Sequence, residues 1–176
     1  MRRRHAWWIA AGTAGFVLAA AAARAPEPPP AAEASETVRF VPLDIYVDPA
    51  GAPLAAYQFE LRDREGDGAE ITLAGVEGGE PGGVFAAPPA YDPAALHPVP
   101  GEPARVIVAA FSTENAENLP RARTRVARLH LQVTGAAFTP DSVTLELRAA
   151  GDAESRRIDA TIEAVPGEPE RAQNGA

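Results

Sequence analysis

The sequence predicts an all-β fold, in which two antiparallel sheets pack as a sandwich. Three observations lead there. Segment after segment alternates apolar and polar residues with a period of two. Clusters of Gly, Pro and Asp separate these segments at short spacing. No stretch of the body sustains a 3.6-residue apolar period, and one-faced alternation suits two sheets that bury their inner faces. The chain has 176 residues, enough for one domain.

The elements follow in order. In residues 39–48, Leu43, Ile45 and Val47 alternate with Asp44, Tyr46 and Asp48. Pro49, Gly51 and Pro53 mark a turn. In residues 54–62, Ala55, Tyr57, Phe59 and Leu61 point one way, and Ala56, Gln58, Glu60 and Arg62 the other. A polar turn covers residues 63–68, and Ile71, Leu73 and Gly75 resume the alternation through Val76. Residues 75–83 read as a Gly-rich loop; it holds two Glu and no Lys-Ser/Thr, so a phosphate cradle is rejected. Asp92-Pro93 opens one expected helical turn through Leu96. RVIVAAF (105–111) is apolar on both faces and suits a central strand. In residues 125–133, Ala127, Leu129, Leu131 and Val133 face in, and Arg128, His130 and Gln132 face out. Val143, Leu145 and Leu147, then Ile158, Ala160 and Ile162, complete seven strands. One or two short strands are added near Val84–Ala86 and within residues 36–41, and no internal repeat is visible.

Charge divides the chain. Net charge is −8, and every basic residue is Arg. Residues 1–25 hold four Arg and no acid, which leaves 12 Arg against 24 acids beyond them, a net of −12. An acidic body repels phosphate backbones, so nucleic acid is excluded as a partner. The absence of Cys excludes disulfides, Cys-ligated zinc, a thiol nucleophile and a lipobox anchor.

Residues 1–25 read as a signal peptide or a single-pass membrane anchor, an N-terminal hydrophobic helix in either case. MRRRH is a positive flank, and Ala6–Ala23 is 18 residues without charge, about 27 Å as a helix against a bilayer core of about 30 Å. Both readings export the remainder, because the arginines stay inside. The expected location is the cell envelope of a bacterium, membrane-anchored or secreted into the periplasm or beyond. Residues 26–36 are a Pro-rich, extended linker, 37–165 the sandwich, and 166–176 a disordered tail.

The segment order resembles the cohesin module, within the superfamily that also holds bacterial carbohydrate-binding sandwiches. The matching stretches are VPLDIYVDPAGAPLAAYQFELR (41–62), ITLAGVEGG (71–79), ARVIVAAFS (104–112) and TRVARLHLQVTG (124–135). Tyr57-Gln-Phe-Glu-Leu61 and Leu129-His-Leu-Gln-Val133 are the best local matches. The Tyr-Asp-Pro that cohesins carry after the second long strand is replaced here by Arg62-Asp63-Arg64, and Tyr91-Asp92-Pro93 occurs later. The resemblance implies a jelly-roll-like sandwich and a dockerin-like protein partner met on a sheet face. The superfamily's second implication is carbohydrate binding in polysaccharide catabolism.

Candidate binding residues are Asp44, Tyr46 and Asp48 on one strand face, Tyr91 as an exposed ring, and Arg121, Arg123 and Arg125 as a basic strip sharing a strand face at period two. Tyr57, Phe59, Phe111 and Phe138 are assigned to the core. Asp63, Glu65, Asp67 and Glu70 gather carboxylates that Ca²⁺ would accept, yet they lack EF-hand spacing, and a solvated turn is the preferred reading. Otherwise no cofactor is expected. No Gly-x-Ser-x-Gly and no His-x-x-x-His occurs, and His97 and His130 have no catalytic setting, so the chain is read as a non-enzyme with no catalytic residue.

Overall fold

The computed structural model describes residues 37–64, 68–92 and 105–168. The chain divides into two units, Met1–Ala34 and Ser35–Ala176, and the described residues all belong to the second. The expected N-terminal helix, the linker, the helical turn at 93–96 and His97 lie outside them. Among the described residues, no helix is long and apolar enough to cross a membrane.

Among the described residues, eight strands form the body: β1 (Val38–Asp48), β2 (Ala56–Asp63), β3 (Ala69–Gly78), β4 (Ala90–Tyr91), β5 (Arg105–Phe111), β6 (Thr124–Gly135), β7 (Val143–Gly151) and β8 (Thr161–Pro166). A 3₁₀ turn, Pro140–Ser142, precedes β7. One sheet has the order β3-β6-β1-β8 and the other β4-β5-β2-β7. Among the described residues every pairing between strands is antiparallel.

Period-two alternation decides which side of each strand is dry. Leu43, Ile45 and Val47 of β1 are fully buried, as are Leu129 and Val133 of β6. They pack with Phe59 of β2 and Val108 of β5 in one core cluster between the sheets. Burying each such side chain contributes about 1.5–3 kcal/mol. The Tyr57 hydroxyl donates to the Val126 carbonyl at 2.8 Å, a hydrogen bond from β2 to β6 that ties the two sheets. Its ring lies 6.0 Å from Phe59 and meets Phe85 edge-on at 5.1 Å. Burial raises the Tyr57 pKa well above the ordinary phenol value.

Turn chemistry behaves as the residue types require. Pro49 leads into Ala50 and Gly51, both at positive φ (49° and 89°), and the Asp48 carboxylate accepts the Ala50 amide at 2.9 Å. At Gly79, backbone approaches backbone: a Cβ there would clash with the Arg125 carbonyl.

The seven expected strands all form, with several corrections. β3 runs on to Gly78, through a register shift between Leu73 and Gly75, so the Gly-rich loop is shorter than expected. Val84–Ala86 is a turn that drives Phe85 into the core; the short strand is Ala90–Tyr91 instead. The last strand begins at Thr161, while Ile158 is held to Ala150 by a 3.0 Å backbone bond. The tail starts later than position 166, since Pro166 pairs with Leu43 and the Gly167 amide donates to the Pro42 carbonyl at 2.8 Å. β5 lies between β2 and a two-residue β4, so it is only thinly covered on one side.

Candidate binding face

The outer face of the β4-β5-β2-β7 sheet has two halves. At one end Ala56 of β2 lies between Phe111 of β5 and Gly151 of β7; in the next row Gln58 lies between Ala109 and Ala149, with Ala90 of β4 beyond Ala109. The side chains here are so short that the surface sinks to a trough of about 520 Å³. Phe111 stands on its rim, 78% exposed, and lines two adjoining hollows as well. This corrects the assignment of Phe111 to the core. Val106 and Val108 of the same strand point inward, so parity sends Ile107, Ala109 and Phe111 outward. Phe138 is half-buried and Tyr57 and Phe59 are core, as expected.

The other half is ionic. Glu60 lies on this outer face, opposite Tyr57 and Phe59 as the alternation expects, yet it is 1% exposed because three arginines close over it. Arg62 Nε donates to Glu60 Oε1 at 2.5 Å, and Arg105 Nε donates to the same oxygen. Arg148 reaches Oε2 with Nε at 2.9 Å and Nη2 at 2.5 Å, and also holds Glu146 at 2.6 Å. Arg62 and Arg105 are directly opposite in the β2–β5 register, a like-charge pair that Glu60 reconciles. Hydrogen bonds from Arg105, then Arg62 and Arg148, hold the Glu60 carboxyl far below the ordinary range, against the upward push of burial.

Most of the binding candidates read from the sequence fall elsewhere, on or beside the other sheet. Asp44 is buried on the outer face of β1, where Arg128 grips both its oxygens (2.7 and 3.0 Å) and Arg125 lies at 3.5 Å. Burial raises the Asp44 pKa, but Arg128 and then Arg125 outweigh it and the net shift is downward. Tyr46 is half-buried, with the Arg123 guanidinium 3.6 Å above its ring; Arg123 also donates to Glu163 at 2.5 Å. Arg121, Arg123 and Arg125 do not share a strand face. β6 begins at Thr124, so Arg121 and Arg123 lie in the preceding loop, where Arg121 holds the Gly51 carbonyl at 3.2 Å. Asp48 caps its own turn, and Tyr91 packs against the core rather than standing free. Asp44, Tyr46, Arg123 and Arg125 therefore meet as a strip whose charges are largely taken up by Arg128 and Glu163.

Of the calcium candidates, Asp63 ends β2 and Glu70 lies in β3, while Glu65 and Asp67 are outside the described residues. Among the described residues no group of three or more His, Cys, Asp or Glu could hold a metal ion. His130 stands beside Glu77 at 2.9 Å.

Comparison with family models, with curated proteins and with solved structures finds no match to this chain.

Proposed function

We propose that the chain is an exported, non-enzymatic binding module that meets a protein partner on the outer face of the β4-β5-β2-β7 sheet. One observation carries the reading: a large apolar ring, Phe111, stands 78% exposed beside an alanine-floored trough on a regular sheet. Leaving such a side chain in water forgoes stabilisation, and its burial on association recovers it. The flat, open shape suits a docked surface better than a reaction chamber. The nested pairing of β1 with β8, β2 with β7 and β4 with β5 supports a jelly-roll-like wrapping. A dockerin-like module is the partner class the cohesin resemblance suggests, and residues 1–25 would deliver the module to the membrane or beyond it.

The test is capture from the native envelope by the full chain and by Phe111→Asp. A protein retained by the wild type and lost from the variant supports the face; identical capture by both overturns it. The carbohydrate reading draws less support, since Tyr46 lies under Arg123 and Tyr91 against the core. Binding on a glycan array that disappears in Tyr46→Ala or Tyr91→Ala would restore it.

A further inference from the structure

Arg157 lines the trough, and the arginines of the Glu60 cluster lie further along the same outer face, beyond Gln58. Arg62, Arg105 and Arg148 are 48%, 53% and 37% exposed, the first two about 13 Å along β2 and β5 from the Gln58–Ala109 row of the trough. Arg157 is exposed and without an ion pair among the described residues. Arg62 and Arg105 each spend only Nε on Glu60, and their Nη donors bond to nothing among the described residues. Most acids here are already engaged: Glu60 by three arginines, Glu146 by Arg148, and Asp152 by Arg156 and the backbone of its own loop, while Glu114, in the hollow adjoining Phe111, accepts from Asn118. A body with twice as many acids as arginines beyond residue 25 thus presents unspent guanidinium donors on the same sheet face as Phe111, the most exposed aromatic ring among the described residues, with Arg62 and Arg105 about 20 Å along the strands from it.

We infer that the partner is an acidic polypeptide segment, in which an apolar side chain enters the trough beside Phe111 and flanking carboxylates take the free donors of Arg62, Arg105 and Arg157. Guanidinium and carboxylate match in bidentate geometry, and such pairs tighten when the apolar contact excludes water. The inference rests on the binding-face reading and adds the chemistry of the occupant. An anionic polysaccharide would satisfy the arginines but bring no apolar side chain for the alanine floor.

The test selects a random dodecamer peptide library on the full chain in neutral detergent. Enriched peptides are then titrated against wild type, Arg62→Ala/Arg105→Ala, Ala109→Glu and Phe111→Asp, with an oligogalacturonate as the glycan arm. The expected peptides carry Asp or Glu on both sides of a Leu, Ile, Phe or Met. Their Kd should rise about tenfold or more in the arginine double variant and in Ala109→Glu, and similarly between about 50 mM and about 500 mM salt. Ala109→Glu leaves the Glu60 cluster intact, so it reports on binding even if the double variant is destabilised. Neutral or basic peptides that still require Phe111 overturn the acidic partner while leaving the face. Ligands indifferent to both Phe111→Asp and Ala109→Glu overturn the face itself. Tighter binding of the oligogalacturonate than of any peptide, or no enrichment at all, also overturns the inference.

Discussion

Replacing Glu60 with Gln keeps the shape of the side chain and removes its charge from beneath three arginines. Four hydrogen bonds end on its carboxylate, two on each oxygen. A hydrogen bond to a charged group contributes about 1.5–3 kcal/mol. The arginine heads are 37–53% exposed, so water recovers much of that when the partner changes. The remaining loss is about 2–3 kcal/mol, because the opposed Arg62 and Arg105 then repel without a mediator. For a domain of this size that lowers Tm by roughly 6–12 °C. The pH dependence separates charge from packing. The folded carboxyl is depressed below its ordinary value of 4.5. Its contribution is therefore complete above that value and is lost as pH falls through the folded-state pKa, with a slope of at most about 1.4 kcal/mol per pH unit. Urea unfolding from about pH 6 to about pH 3 should show the wild type converging on Glu60→Gln. A constant gap across that range, or a Tm change under about 2 °C, would refute the reasoning.

Further outcomes follow from the same structure. Asp44→Asn should cost about 1.5–3 kcal/mol at neutral pH, since Arg128 loses a two-oxygen partner, and the cost should shrink in acid as the wild-type carboxyl protonates; paired urea melts check this. Tyr57→Phe should destabilise by about 1–1.5 kcal/mol by removing the only donor that its hydroxyl offers the Val126 carbonyl, read by chemical denaturation with the slope m unchanged. Gly79→Ala should cost more than about 2 kcal/mol, because the added carbon meets the Arg125 backbone rather than a side chain that can move; a wild-type melting curve would contradict this. Leu129→Ala should cost about 2–5 kcal/mol through the cavity it leaves in β6.

Residue order already contained the strands. Leu43-Asp44-Ile45 or Leu129-His130-Leu131 specifies an inner and an outer face whatever its neighbours are, because successive side chains leave a strand on opposite sides. The same parity, applied to Val106-Ile107-Val108-Ala109-Ala110-Phe111, would have placed Phe111 outside. Composition alone assigns it to the core, since a Phe in an apolar run reads as buried. Glu60 shows the opposite failure: its parity was right, and its burial came from arginines 45 and 88 positions away as well as from one close by.

The sequence by itself determined the fold class, the seven principal strands, the acidity of the body and the absence of thiol chemistry, because local alternation and composition need no partner to be legible. Tertiary structure alone decided which strands are neighbours, and with them which charges meet. Arg62, Arg105 and Arg148 converge on Glu60 only because β5 and β7 flank β2, and the strip at Asp44 arises only because β1 lies against β6. Strand pairing joins residues far apart in the chain through backbone bonds that any side chain permits, so the groups that share a face become known only when the sheets are assembled.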